Sequence, residues 1–153
     1  MQTIQIIKLT DKDLDKFMEL IRLFEEVFEM ENFSMPRPDY LQQQLTKSGF
    51  FVFVAMLNNK VAGGLTAYTL HQYYSTSPIV YIYDLAVKPS FQRQGIGKLL
   101  ISVINAYCKE LGMEEVFLEA TQADNHAINF YRSTGAREDQ VVHFYYPLNE
   151  KKV

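Results

Sequence analysis

The 153-residue sequence contains one cysteine, no tryptophan and no run of lysine or arginine. With Cys108 alone, the chain cannot form a disulfide framework, which fits a reducing compartment. Its longest unbroken apolar run, residues 50–57, is far shorter than the ~20 residues that span a bilayer. The first ten residues lack the basic start and long apolar stretch of a secretion signal. These absences predict a cytoplasmic protein without a membrane partner.

Charge and composition narrow the class further. The net charge is −3 without a basic cluster, which argues against a nucleic-acid partner. The chain is 48% hydrophobic, with only 7 Gly and 5 Pro, so it can bury a core. Its length predicts one domain over residues 1–153. The three histidines lack metal-ligand spacing, so we expect no metal site. The sequence leaves open whether the chain is a monomer or a homodimer.

Apolar periodicity predicts a mixed α/β chain in the order β-α-α-β-β-β-α-β-α-β. Thr10 and Asp11 are expected to cap the first helix, and Asn58-Asn59 to form a hairpin turn. The strand, helix and strand that follow residue 79 imply a parallel crossover. Strands are expected near residues 4–9, 50–57, 61–70, 79–87, 116–120 and 140–146. Helices are expected after residue 11, at 38–49, at 95–111 and from 124 or 125 to 133.

The most informative segment joins the strand at 79–87 to the helix that begins at Gly95. The first N–H groups of a helix are unpaired and lie at the positive end of its dipole. Gly95 and Gly97 would let a pyrophosphate approach this backbone, and Arg93 and Lys98 add positive charge. The segment therefore predicts a phosphate-binding turn, although an ordinary tight turn would have the same glycines.

Two familiar nucleotide motifs do not match this turn. A Walker A loop would require Gly in place of Gln92 and Ser or Thr in place of Leu99. A dinucleotide fingerprint would require a third Gly in place of Leu100. Neither a P-loop nor a Rossmann nucleotide site is predicted.

The pattern Gln92-x-x-Gly95-x-Gly97 follows Leu85-Ala86-Val87 and precedes Ala127-Ile128-Asn129-Phe130-Tyr131 and Gly135. In this order and spacing the motifs resemble the GNAT N-acetyltransferase superfamily. The resemblance implies an α/β fold with a mixed, mostly antiparallel sheet, a central parallel pair splayed around the cofactor, and helices on both faces. It also implies acetyl-CoA as cofactor, with coenzyme A as product. The implied cofactor-binding residues are Leu85, Ala86, Val87, Gln92, Arg93, Gln94, Gly95, Ile96, Gly97, Lys98, Asp124 and Asn125.

Within the superfamily, the segments 61–68 and 81–87 and the pair His143-Phe144 resemble aminoglycoside 3-N-acetyltransferases of the gentamicin-resistance type. This closer resemblance implies acetyl transfer to a primary amine of a small cationic molecule. Direct attack in a ternary complex is expected because the sequence shows no nucleophile for a covalent route. Alternative acceptors are a polyamine, an amino acid or a protein amine. A non-catalytic acyl-CoA-binding regulatory module is the alternative from another class.

A base is required because an amine of pKa ~10.4 is almost entirely protonated at neutral pH. Asp84, on the strand beside Leu85, is the candidate base, or else an anion that binds the acceptor. Tyr131 resembles the superfamily's tyrosine that protonates the coenzyme A sulfur. With Asp84 and Tyr83, Glu26 and Glu29 are candidate acceptor-binding residues, although these glutamates would also fit a solvated helix face. For Cys108 we expect a packing role.

Overall fold

The computed structural model describes residues 3–150. Its strands are β1 (Gln5–Lys8), β2 (Phe50–Leu57), β3 (Lys60–Leu70), β4 (Ile79–Val87) and β5 (Glu115–Phe117). Its α-helices are α1 (Leu14–Val27), α2 (Pro38–Leu45), α3 (Ile96–Glu110) and α4 (Asn125–Ser133), and a short 3-10 helix spans Pro89–Phe91.

The strands form one five-stranded sheet in the order β1-β2-β3-β4-β5. The first four strands pair antiparallel, and β5 pairs parallel with β4 after the α3 crossover. Asn58 and Asn59 take positive φ angles of 53° and 61° between β2 and β3, which is the predicted hairpin turn. The predicted class, mixed α/β with a mostly antiparallel sheet and one parallel pair, is confirmed.

Helices cover both faces of the sheet. On one face, Leu20 and Phe24 of α1 are buried in a cluster with Val52 of β2. On the other face, Leu100 and Ile104 of α3 lie in a second cluster with residues of β2, β3 and β4. This second cluster includes Cys108, and burial raises its pKa to about 11. Cys108 is therefore a packed, protonated thiol, as expected.

The structure differs from the expected elements in several places. Helix α2 ends at Leu45 rather than near residue 49, and β5 spans Glu115–Phe117 rather than residues 116–120. Helix α1 begins after Asp13 rather than Asp11, because the Asp13 carboxylate accepts hydrogen bonds from the N–H and hydroxyl of Thr10. The strand expected at residues 140–146 is wrong: this segment is exposed and is not part of the sheet. Its side-chain pattern suits a strand, but a strand also needs a backbone partner, and this segment has none within residues 3–150. Across the same residues, each helix is too short or too polar to cross a membrane.

Candidate active site

The turn before α3 carries a run of unpaired backbone N–H groups. Within residues 3–150, the N–H groups from Arg93 to Lys98 have no hydrogen-bond acceptor, and Leu99 is the first to donate, to the Gly95 carbonyl at 3.0 Å. Within this run, Arg93 and Gly95 take left-handed φ angles of 64° and 80°. Unpaired N–H groups at a helix N-terminus form a favourable environment for an anion.

The two glycines of this turn have different roles. A Cβ on Gly95 would meet nothing within 4 Å, but its φ of +80° is one that residues with side chains rarely adopt. A Cβ on Gly97 would lie 2.8 Å from Cζ of Phe130, so Gly97 allows α4 to pack against α3. That both glycines also clear space for a pyrophosphate stays a prediction. The Gly97 N–H lies in the unpaired run.

Beside this turn, one edge of β4 is open. Pairing between β4 and β5 covers only Ile79–Tyr81 opposite Glu115–Phe117. Beyond Tyr81, β4 pairs with β3 alone, up to Val87 opposite Gly63. Within residues 3–150, no strand pairs with the backbone groups of residues 82–87 that point away from β3. Leu85, Ala86 and Val87 lie on this edge, and Gln92 Nε2 donates to the Val87 carbonyl at 3.1 Å, which ties the turn to the strand.

A β-bulge interrupts the middle of β4. The pairing register passes from Ala67–Ile82 directly to Thr66–Asp84, so Tyr83 is an extra residue on β4. A bulge of this kind interrupts the alternation of side chains between the two faces.

The core clusters show the consequence of this bulge. Before it, Ile82 packs in the cluster with α3; after it, Leu85 packs in that cluster and Ala86 packs in the cluster with α1. Asp84 is two residues before Ala86, so it lies on the same face as Ala86, which is the α1 face. Tyr83 directly follows Ile82, so it lies on the face opposite Ile82, which is again the α1 face. The bulge therefore directs two consecutive side chains, both predicted from the sequence as acceptor-binding residues, to one face.

The charge of Asp84 contributes to the raised pKa of Tyr131. Burial raises the pKa of Asp84, and no hydrogen bond or ion pair compensates it within residues 3–150. Burial, and then the charges of Asp124 and Asp84, raise the pKa of Tyr131 to about 12. Tyr131 therefore keeps its proton at neutral pH, and its hydroxyl lies within the electrostatic reach of both carboxylates. Asp124 accepts a hydrogen bond from the Ala127 N–H at 3.0 Å and so caps α4, which begins at Asn125.

Aromatic rings extend from Asp84 towards β5. Tyr83 lies between Tyr68 and Tyr81, with a ring-centroid distance of 5.9 Å to each. Tyr81 stacks on Phe117 at 4.8 Å. Tyr83 is 61% exposed and Tyr68 is 41% exposed, so the row presents aromatic faces to solvent.

Glu119 ends this row and was not identified from the sequence. The Tyr81 hydroxyl donates to Glu119 Oε1 at 2.9 Å, and His143 Nδ1 lies 3.7 Å from Glu119 Oε2. Burial and this hydrogen bond raise the pKa of Tyr81 to about 12. The alternation of Phe117 and Glu119 beside the parallel strand β4 could have indicated this carboxylate, but only with the β4–β5 register known.

The predicted glutamates, Glu26 and Glu29, are exposed at the C-terminal end of α1 and just beyond it. Within the described part of the chain, no hydrogen bond or ion pair joins either of them to Asp84, whose pKa is raised by burial alone. Glu25 forms an ion pair with Arg22 at 2.9 Å. A role for Glu26 and Glu29 stays a prediction.

A protein family and a solved structure match this chain over most of its length. Residues 15–136 match the model of the acetyltransferase (GNAT) family. An aminoglycoside acetyltransferase from an uncultured soil metagenomic sample, crystallised in complex with sisomicin, is 55% identical, with a TM-score of 0.94 over 95% of this chain and 97% of that chain.

Two curated relatives match over shorter stretches. The [Ribosomal protein bS18]-alanine N-acetyltransferase of Escherichia coli K12 is 30% identical over 69 residues, which is 45% of this chain and 47% of that enzyme. The aminoglycoside N(6')-acetyltransferase type 1 of Salmonella typhimurium is 26% identical over 96 residues, which is 61% of this chain and 66% of that enzyme. The chain thus spans about half to two thirds of the length of these curated relatives.

Proposed function

Because the chain belongs to the acetyltransferase (GNAT) family, we propose that it transfers an acetyl group from acetyl-CoA to an amine of an aminoglycoside. Acetyl-CoA is the acetyl donor of this family. The proposal rests on one juxtaposition along β4: its open edge leads from the unpaired N–H groups before α3 to the half-buried Asp84 and the exposed aromatic row. An anion site, an open strand edge and a carboxylate are the features that the two substrates require.

The chain's own groups fit the donor. The N–H groups of residues 93–98 would hold its pyrophosphate, and the side chains of Arg93 and Lys98 would add positive charge. The outward backbone groups of Leu85 and the N–H of Val87 would pair with the amides of its pantetheine arm, because the Val87 carbonyl already accepts from Gln92. Asp124 and Asn125, at the start of α4, would flank that arm close to Tyr131.

Asp84 would bind the acceptor ammonium and take one of its protons, directly or through a water molecule. Burial raises the pKa of Asp84, which makes it a stronger base than an exposed aspartate. The neutral nitrogen then forms a bond to the acetyl carbon while the carbon–sulfur bond breaks, and the remaining excess proton on nitrogen passes, directly or through water, to the departing sulfur, so that coenzyme A leaves as a thiol. The proton held by Asp84 passes to water when the product leaves.

Tyr131 would stabilise the departing sulfur by donating a hydrogen bond. Its pKa of about 12 lies well above ~8.5, the value for a cysteine-like thiol. Full proton transfer from the tyrosine would therefore be uphill by about 5 kcal/mol. We therefore propose that Tyr131 donates a hydrogen bond to the sulfur and keeps its proton, whereas the family resemblance implied that it gives the proton away.

The acceptor side suits a molecule with hydroxylated rings and several ammonium groups. Ring C–H faces and ammonium groups both bind well to exposed aromatic faces such as those of Tyr68 and Tyr83. Asp84 and Glu119, near the two ends of the aromatic row, would pair with separate ammonium groups. Glu26 and Glu29 would add longer-range attraction to a multiply charged acceptor.

The position of acetylation is a finer proposal. The sequence resemblance favoured a 3-N position, whereas the curated aminoglycoside relative is of the N(6') type. We propose the 6′ amine, and analysis of the product decides between the two. Aminoglycosides modified in this way would lose ammonium charge, so expression of the protein in susceptible bacteria should increase resistance.

A second candidate acceptor is an N-terminal alanine of a ribosomal protein, which the relative from Escherichia coli favours. Coenzyme A release should be measured with sisomicin, spermidine, an alanine-terminated peptide and no amine. We expect the highest kcat/KM with sisomicin. Release with the peptide alone would favour the second candidate, and no release with any amine would contradict catalysis.

Donor binding is tested separately. Lys98→Glu places a negative charge at the unpaired N–H groups, whereas Lys109→Glu makes the same charge change in the last turn of α3. Titration with coenzyme A should show weaker binding for Lys98→Glu and unchanged binding for Lys109→Glu. Equal affinities would place the pyrophosphate elsewhere.

A further inference from the structure

Helix α4 is held against the fold by two neighbouring side chains. None of its residues is fully buried, and within residues 3–150 the only ones that pack in a hydrophobic cluster are Phe130 and Tyr131. In the same part of the chain, the hydrogen bonds and the ion pair of α4 join it only to residues 123–138. The position of α4 relative to α3 therefore depends on how Phe130 and Tyr131 pack.

Phe130 contacts α3 at the anion-binding turn. Gly97 is the second residue of α3, and a Cβ there would lie 2.8 Å from Cζ and 3.0 Å from Cε1 of Phe130. Ordinary contact for a Cβ begins at 3.4 Å. The Phe130 ring thus occupies the space that a side chain at position 97 would need. Helix α4 comes this close to the turn because residue 97 is glycine.

Tyr131 directly follows Phe130 on the same helix. The two rings meet edge to face, with their centroids 5.0 Å apart and their planes at 65°. A hydrogen-bonded helix moves as a unit, so a displacement of Phe130 also displaces the Tyr131 hydroxyl. In the donor molecule, one covalent arm joins the pyrophosphate to the sulfur. A turn that holds the pyrophosphate therefore needs the sulfur's hydrogen-bond donor at a matching distance.

We propose that the contact between Gly97 and Phe130 sets the position of the Tyr131 hydroxyl relative to the donor's sulfur. Gly97 and Phe130 would then be positioning residues for acetyl transfer, both acting through Tyr131. The inference rests on the proposed acetyl donor and on the hydrogen bond proposed for Tyr131. One glycine would serve both ends of the donor, with its N–H at the pyrophosphate and its missing side chain setting the place of α4.

The size of the effect follows from the contact distance. A Cβ on Gly97 requires Phe130 to retreat by about 0.6 Å, from 2.8 Å to 3.4 Å. A misplacement of ~1 Å in a catalytic site can cost ~10²-fold in rate. A retreat of about 0.6 Å should therefore weaken the contribution of Tyr131 by about threefold to tenfold.

The thiolate-to-thiol ratio of bound coenzyme A reports the hydrogen bond from Tyr131 without an acceptor or turnover. Ultraviolet difference titration measures this ratio after subtraction of the free protein, and Cys108, whose pKa burial raises to about 11, stays protonated. Tyr131→Phe should lower the ratio by about tenfold or more, because a hydrogen bond to a charged group is lost. Gly97→Ala should lower it by about threefold to tenfold. Gly49→Ala is the control, because it adds the same methyl group where nothing lies within 4 Å.

Phe130→Leu changes the same contact from the other side and adds no atom at the turn. It should lower the ratio as Gly97→Ala does. In a Tyr131→Phe background, neither substitution should lower the ratio further, since both act through the missing hydroxyl. A further loss in that background, or a wild-type ratio for both Gly97→Ala and Phe130→Leu, would overturn the proposal.

The affinity for coenzyme A separates this role from a direct effect on the pyrophosphate. Titration at slightly acidic pH, where the thiol is protonated, should show unchanged affinity for Gly97→Ala and Phe130→Leu. Weaker binding by Gly97→Ala together with a wild-type ratio would assign Gly97 to the pyrophosphate alone and overturn the proposal. Coenzyme A binding without acetylation of any amine would contradict the proposed function and leave the ratio measurement intact. No binding at all would contradict both.

Discussion

Tyr131→Phe removes one hydroxyl from the centre of the candidate site and leaves the ring in place. The pKa of Tyr131, raised to about 12 by burial and by Asp124 and Asp84, keeps the hydroxyl protonated through the physiological range. A hydrogen bond to a charged group contributes about 1.5–3 kcal/mol. Loss of such a bond to the departing sulfur should therefore lower kcat by about 10–150-fold. Because the tyrosine remains protonated, wild-type kcat should show no loss from this group as pH rises towards 10.

The measurement is single-turnover release of coenzyme A, which isolates the chemical step. Titration should show unchanged acetyl-CoA affinity for Tyr131→Phe. Tyr107→Phe is the control, because Tyr107 packs on the same side of the sheet but against Phe51 and Phe53 of β2. A wild-type rate for Tyr131→Phe would refute the hydrogen-bond role. A loss well beyond 10³-fold would instead indicate full proton transfer.

Three further predictions follow from the same geometry. Gly97→Ala should lower stability by about 1–3 kcal/mol in thermal unfolding because its Cβ meets Phe130, whereas Gly49→Ala, with nothing within 4 Å, should change little; an unchanged Tm for Gly97→Ala would contradict the contact. Asp84→Asn should lower kcat/KM and remove the fall in kcat/KM at acidic pH. In the wild type, the midpoint of that fall should lie above the usual pKa of aspartate. Asp84→Asn should also raise Tm at pH 7. Burial raises the pKa of Asp84 in the folded state, so ionisation of this carboxyl destabilises the fold as pH rises, and the gain in Tm should vanish in acid. A lower Tm at pH 7 would show that other groups compensate the charge of Asp84. Added salt should lower kcat/KM for a multiply charged acceptor more than for a monoamine. Salt screens the attraction between exposed carboxylates and the acceptor, with a Debye length of ~8 Å at physiological ionic strength. Equal salt effects on the two acceptors would argue against carboxylates that attract the acceptor.

The sequence predicted the parts of the site whose chemistry is local. The turn around Gly95, the cap at Asp124 and the stripe of α3 depend on residues close together in the chain. Their geometry follows from φ preferences and helix periodicity. Asp84 and Tyr131 were also identified, although by resemblance rather than by periodicity.

The remaining features depend on contacts between distant segments. The bulge at Tyr83 is visible only once β3 and β4 are in register. The close packing at Gly97 involves Phe130 of another helix. Glu119 is joined to the aromatic row by the hydrogen bond that it accepts from Tyr81. Strand propensity likewise predicted a strand at residues 140–146, for which residues 3–150 provide no backbone partner.

The most direct measurement is analysis of the product formed from sisomicin and acetyl-CoA. Mass spectrometry counts the acetyl groups transferred, and NMR of the purified product locates them. We expect one acetyl group, on the 6′ amine, formed in step with coenzyme A release and strongly reduced for Asp84→Asn. Unmodified sisomicin in a reaction where an alanine-terminated peptide becomes acetylated would contradict the proposed function.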